Sequence, residues 1–320
     1  MMRRLLLSGV VVCLVLIMAV PSLAATAQLV MATGGTAGTY YPLGGAMSQI
    51  INRVVKDVNV SVQSTGASVA NIRMMQNGEV DLALIQTDTA DYAWNGTEMF
   101  KDDGKLQNFK VMASLYPELI QVVVRAESGI DSIADLKGKK VSVGAPGSGT
   151  EANARQILEI YGLTYQDLSQ VQYLSFAESA EAFKDRHIDA FFVTAGIPNA
   201  GIQDTATMHK IKILDIPDDM YEKLHDKYGF YGQALIPAGC YINQTDLIRT
   251  VAVQAVLVVR ADLDAGMVYE MTAALFDNLP ELATSHAKGK EMSLKGALTG
   301  VSTPLHPGAE KYFKEKGIVK

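Results

Sequence analysis

Residues 141–158 read VSVGAPGSGTEANARQIL, and this stretch decides the fold class. A β-branched run ends at Gly144, a Gly/Ser/Thr loop follows, and helix-forming residues begin near Thr150. That is the order in which a strand hands a loop to a helix N-terminus, where proteins hold anions. A nucleotide phosphate loop needs G-x-x-x-x-G-K-[ST], but GAPGSGTE has no lysine and places Glu151 where charge would repel phosphate. Gly147-Ser148-Gly149-Thr150-Glu151-Ala152 fits the dinucleotide fingerprint formally. However, its next candidate acid, Glu178, comes well beyond the ~20 residues that fingerprint asks for. Pro146 and Thr150 flank Ser148 where a hydrolase elbow requires glycines.

A second corner of the same kind, GGTAGTYYPLGG, occupies residues 34–45. Working outward, the two corners sit in two similar blocks, Gln28 to Gln86 and Lys140 to Thr194. Each runs strand, Gly/Thr loop, helix, strand, helix, strand. QLVMAT, VNVSVQST and DLALIQT read as strands of the first block, and VSVG, VQYLSF and IDAFFVT as strands of the second. A polar helix carrying Trp94 follows the first block. This βαβ repetition predicts an α/β class with mainly parallel sheets. One doubly wound sheet and two smaller sheets in a hinged two-lobe protein both fit it. Residues 110–127 read as two strands divided near Tyr116-Pro117, and the apolar run Ser114 to Ala126 suits a crossing between lobes. TVAVQAVLVVRADL (250–263) suits a return crossing, and helices are expected at 267–279, 292–298 and 308–317. The boundaries fall near 115 and 240, giving lobe 1 as 28–115 plus 240–320 and lobe 2 as 116–239.

Arg3 and Arg4, an apolar run from Leu5 to Val20, and the small residues of PSLAATAQ form a secretory signal peptide. The expected cut is after Ala24 or Ala27, with a periplasmic destination. Without Arg3 and Arg4, 26 basic residues face 34 acidic ones, a net charge of −8. That balance argues against a nucleic-acid partner. Only Cys240 would remain after the leader is removed, so no internal disulfide is expected. The five histidines (187, 209, 225, 286 and 306) show no H-x-x-x-H pair, and Asp102-Asp103-Gly104 reads as a solvated turn. No metal or other cofactor is called for.

In open α/β sheets, loops between a strand's carboxyl end and a helix are where ligands sit. If the two corners face one cleft, their helix starts offer unpaired N–H groups and a positive dipole end worth roughly 0.3–1 kcal/mol each. The hydroxyls of Thr36, Thr39, Ser148 and Thr150 and the ring of Tyr40 complete a site that could hold a carboxylate without an arginine. Helix capping and turn formation are the plainer reading of each loop taken alone.

GGTAGTYYPLGGAM, QSTGASVANIRMM, GEVDLALIQTD, ASLYPE, DLKGKKVSVGAPGSGTEANARQIL, IDAFFVTAGIP and PLHPGAEKYF together resemble the TAXI family of TRAP-transporter solute receptors. The resemblance runs from Leu29 to the last helix. It implies a type II periplasmic binding protein fold, two lobes closing on a small solute in a central cleft. The solute would be a small carboxylate or amino acid, of the glutamate, glutamine or 2-oxoacid type, passed to a membrane TRAP permease. The receptor is expected to be a monomer and not an enzyme. Carried over by motif, the pocket uses Thr36, Thr39, Tyr40, Thr65, Ser68, Gln86, Ser148, Gly149, Thr150, Phe192 and Thr194. Thr65 and Ser68 have a plainer role as helix caps, Gln86 as a strand-end backbone partner, and Phe192 as core. The family's T-G-G-S is here Thr65-Gly66-Ala67-Ser68, and the extra methyl is expected to hinder a positive φ or narrow the pocket. A ligand sensor reporting to a membrane receptor and an exported enzyme on an α/β frame are the alternatives.

Overall fold

The computed structural model describes residues 26–320, so the signal peptide and Cys13 lie outside the described residues. The first block forms β1 (Ala27–Ala32), α1 (Tyr40–Val54), β2 (Val58–Gln63), α2 (Ser68–Gln76), β3 (Leu82–Gln86) and α3 (Thr87–Asn95). β4 (Phe109–Arg125) leads out of it. The second block forms β5 (Lys140–Ser142), α4 (Gly149–Ile160), β6 (Gln170–Gln172), α5 (Phe176–Lys184) and β7 (Ala190–Ala195). After it come α6 (Ala200–Met208), β8 (Ile211–Ile213), α7 (Asp218–Tyr228) and β9 (Gly232–Ile236). β10 (Ile248–Arg260) returns the chain to α8 (Ala265–Phe276), α9 (Leu279–Ser285) and α10 (Pro307–Glu315).

Hydrogen bonding joins the strands in the order β2-β1-β3-β10-β4-β7-β5-β6. Parallel pairs lie at both ends, β1 with β2 and β3 in one block and β5 with β6 and β7 in the other. Between them β4 and β10 run antiparallel to each other over most of their length. The two open possibilities thus meet in one continuous path: two parallel half-sheets joined by a pair of long crossing strands.

β4 is a single strand through Tyr116-Pro117, where a division was expected. Proline cannot donate to a ladder and is tolerated beside bulges and at unpaired edges. Pro117 sits opposite Gln254, next to a register shift at Ala255/Val256, and pairing with β7 begins only at Leu119. Residues 292–298 form turns rather than the expected helix. There Ser293 Oγ accepts from Gly296 N–H at 3.1 Å, a local bond that competes with helix formation.

Each half-sheet is covered on both faces. One buried cluster joins Leu43 and Met47 of α1 to Met271 and Phe313, and another joins Ile72 and Tyr92 to Ile85 and Val256. In the second half, Ile157 and Leu224 pack on Val122 and Phe192, while Phe183 and Ile202 pack on Val123 and Phe191. Tyr241, Ile248 and Ala252 belong to this last cluster. The packing therefore passes from one half to the other along β10 between Val253 and Ala255. Among the described residues no helix is long and apolar enough to cross a membrane.

Candidate functional site

A cavity of about 360 Å³ lies between the halves. Its walls are the 34–40 corner, residues 64–68, Gln86, Glu118, the corner at Ala145 and 148–150, residues 175–178, and Thr194-Ala195. Thr36, Thr39, Tyr40, Thr65, Ser68, Gln86, Ser148, Gly149, Thr150 and Thr194 are thereby brought to one space. Phe192 is not: it is fully buried among Ile120, Val122 and Leu158 in the core of the second half. It shares a face of β7 with Thr194 but lies two residues earlier, under α4 instead of at the strand's open end.

The side chains divide by what they already bond. Thr65 Oγ1 accepts from Ala67 N–H at 3.1 Å and donates to Thr33 O at 2.9 Å or Asn71 Oδ1 at 2.5 Å, so its capacity goes into the strand–helix junction. Ser68 Oγ accepts from the Gln86 N–H at 3.1 Å and so positions that glutamine. Ser148 caps α4 by accepting from Glu151 N–H at 3.2 Å. Two buried polar atoms remain, Gln86 Oε1 and Thr194 Oγ1, which find no hydrogen-bond partner among the described residues. A buried polar group left in that state costs about 1–3 kcal/mol, and both atoms lie beneath the cavity lining rather than on its surface.

Helix starts converge on the same space. α1, α4 and α5 all begin in its lining, and their first-turn N–H groups have no intrahelical acceptor. The start of α2 is used differently. Its Val69 and Ala70 N–H groups donate to Gly147 O of the opposite corner at 3.0 and 3.1 Å. Asn199 Nδ2 reaches Ala37 O at 3.2 Å, again from one half to the other. A Cβ on Gly149 would fall 1.8 Å from Gln86 Oε1, so a side chain there would force the Gln86 amide to turn away. Hydrogen bonds thus join the two halves beside the cavity.

Ala67, the position where the family pattern has glycine, adopts φ 72° and ψ −147°. This is a region rarely populated by residues with a side chain, at a cost of order 1–3 kcal/mol. Its methyl lines the cavity. The backbone is thus held positive despite the methyl, and the methyl takes up room at the wall.

Sequence reasoning missed two contributors. Ser175 to Glu178 is an S-x-x-E capping box, closed by Ser175 N–H to Glu178 Oε2 at 2.8 Å and Glu178 N–H to Ser175 Oγ at 3.3 Å. Its spacing was readable in the sequence. Glu118 sits on β4, 2% exposed, accepting from Tyr40 Oη–H at 2.6 Å. Tyr116 Oη lies 3.4 Å from its other oxygen. Burial pushes the Glu118 carboxyl up to about 8; Asp88 adds to the rise, while the two tyrosine bonds and Lys288 oppose it. The signal was an acid within an otherwise apolar crossing strand, since unpaired acids are almost never fully buried. Tyr40, expected as an aromatic wall, is instead Glu118's hydrogen-bond donor.

A second buried network ties the halves together beside the cavity. Asn153 Nδ2 of α4 donates to Asp88 Oδ2 of α3 and to Tyr231 Oη, both at 2.8 Å, and Gln156 Nε2 donates to Tyr92 Oη at 3.0 Å. Burial pushes the Asp88 carboxyl up to about 6, with the bonds from Asn153 and Thr89 opposing the shift. Arg155 pairs with Glu98 at 3.3 Å and Arg73 with Asp103 at 2.7 Å, so both arginines meet acids outside the cavity. Among the described residues no group of His, Cys, Asp and Glu is placed to hold a metal ion.

A model of the NMT1-like family matches residues 31–317. The chain belongs to the NMT1-like family. Solved structures similar to this NMT1-like chain include PhnD1 of Prochlorococcus marinus in complex with methylphosphonate, at 12% identity and TM-score 0.53, covering 91% of this chain and 99% of that one. A Listeria monocytogenes chain described provisionally as an L-cystine ABC transporter is similar at 14% identity and TM-score 0.53, over 83% and 98% of the two chains. The periplasmic aliphatic sulphonate binding protein SsuA of Escherichia coli matches more loosely, at 17% identity and TM-score 0.45, over 81% and 78%. The NMT1-like chain has the two-lobe, type II fold of periplasmic binding proteins.

Proposed function

We propose that this NMT1-like protein is a periplasmic solute receptor of the TAXI type. It captures a small carboxylate or amino acid by lobe closure and delivers it to a membrane TRAP permease. The observation that carries the reading is the cavity between the halves, whose lining joins three helix starts to the polar side chains of Thr36, Thr39, Gln86, Ser148, Thr150 and Thr194. Each half supplies part of the lining, so a ligand gains contacts in the closed form that the open form lacks, and that difference drives closure. β4 and β10, which carry the chain between the halves, are the hinge. The lining holds hydroxyls, amides and carboxyls but no histidine, cysteine or lysine. A nucleophile paired with a base, the usual mark of a hydrolytic site, is not among them, which favours capture over catalysis.

The solved neighbours favour a second reading for the membrane partner, a permease of the ABC class, because one is described as an ABC transporter. Sensing for a membrane receptor is the third. Native mass spectrometry of protein exported to the periplasm, followed by titration of the co-purified solute, tests the receptor reading. Chemical turnover of the solute, or the absence of binding by any small acid or amino acid, would overturn it. Uptake in reconstituted vesicles then separates the partners, since a TRAP permease follows an ion gradient and an ABC permease follows ATP.

A further inference from the structure

The cavity's deep wall presents acceptors without a cation to match them. Glu118 lines the cavity with its carboxyl held beside the Tyr40 and Tyr116 hydroxyls, and the amide of Gln86 and the hydroxyl of Thr194 each keep a buried oxygen without a hydrogen-bond partner among the described residues. The lining has no lysine or arginine, and its other acid, Glu178, already caps its own helix. The groups whose charge reaches Glu118 come from several elements. They are Tyr40 on α1, Asp88 on α3, Tyr116 on β4 itself, and Lys288 from the segment after α9. The Lys288 ammonium is already held by Glu291 at 2.5 Å. Glu118 thus has no ion-pair partner among the described residues. An ammonium group carries three donors and a positive charge, and this wall brings a carboxyl and no lysine or arginine. The helix starts elsewhere in the lining suit a carboxylate.

We propose that Glu118 is the specificity-determining residue of the cleft: it recognises the ammonium group of an α-amino acid, and binding expels its proton to solvent. The inference rests on the receptor reading above and narrows it. In balance, the protonated Glu118 carboxyl and the ligand ammonium become a carboxylate–ammonium pair, and one proton passes to the buffer. A 2-oxoacid brings no cation, so Glu118 keeps its proton when that ligand binds. Affinity for the amino acid therefore rises with pH, about tenfold per unit while Glu118 is mostly protonated, and affinity for the 2-oxoacid does not.

The test uses the mature protein, screened by thermal shift against the common L-amino acids and their matching 2-oxoacids. The best binder of each class is then titrated calorimetrically at neutral pH in two buffers of different ionisation enthalpy. The expected result is release of about one proton per amino acid bound and none per 2-oxoacid. Glu118→Gln keeps a hydrogen-bond acceptor but cannot ionise. It should abolish the proton release and lower the amino-acid to 2-oxoacid affinity ratio by roughly 30-fold or more. If that variant does not fold, the two-buffer experiment on the unaltered protein still decides. Amino-acid binding without proton release, or binding of 2-oxoacids alone, sinks the Glu118 assignment and leaves the receptor reading standing. Binding of neither class sinks the receptor reading itself.

Discussion

The starts of α2 and α4 are written in nearly the same residues, Thr-Gly-Ala-Ser and Gly-Ser-Gly-Thr, and both lie against the one cavity. They differ in where their N–H groups are spent. α2 gives Val69 and Ala70 N–H to the Gly147 carbonyl of the other half, while α4, capped by its own Ser148, begins in the lining. One helix start bonds across the cleft and the other opens onto the cavity. A Gly/Ser/Thr corner marks a place where a helix begins, but its partner is settled by the geometry of the opposite half.

The largest test of that contrast is Gly149→Ala. The new methyl collides with the Gln86 amide, which must leave its place in the cavity wall. Affinity for the captured solute is expected to fall at least ~100-fold, about 2.7 kcal/mol, with the melting temperature of the free protein little changed. Unaltered affinity would mean that the 144–151 corner is not part of the capture surface.

Asp88→Asn comes next, because Asp88 and Asn153 join the same two helical regions in the buried core. Asp88 has a carboxyl raised on folding from 3.8 to about 6. It stays protonated in the folded chain where the unfolded chain has already ionised. Its contribution to stability is present below the lower value and is lost as pH climbs through the higher one. The asparagine variant cannot ionise, so its melting temperature should gain on the parent's between about pH 4 and pH 7, by up to roughly 2–3 kcal/mol of stability. Parallel pH profiles would show that Asp88 is not the titrating group.

Ala67→Gly probes the α2 side. Relief of the positive φ outweighs the added chain entropy of glycine, for a net gain of about 0.5–2 kcal/mol in denaturant unfolding. A loss of stability would show that the methyl's packing dominates. The smallest effect is expected from Arg155→Ala, which removes a partly exposed ion pair between the halves. Its cost should stay within about 1 kcal/mol, with ligand affinity retained within a few-fold.

The alternation of strands and helices through Thr194, the two crossing strands and both corners were legible in the sequence, because each leaves a local mark in periodicity or glycine content. The stretch from Ala200 to Ile236, which forms α6, β8, α7 and β9, carries no such local mark. Its strands are short, and their pairing with β4 and β10 is set by distant residues. Glu118 ends the ASLYPE motif, which by itself gives it no role. Its importance appears only when Tyr40, 78 positions away, is seen donating to it. The φ at Ala67 was foreseen as a difficulty because the reasoning there concerns a single residue. Phe192 was misplaced because which part of a strand lies under a helix is a tertiary matter.

β4 and β10 lie side by side and hydrogen-bonded where they pass between the halves. Two strips joined along their edges flex easily about a line drawn across both, yet resist sliding past each other or twisting apart. If the protein opens as proposed, that movement reduces to a single angular coordinate. One distance, measured between a probe on each lobe, is enough to follow the whole cycle.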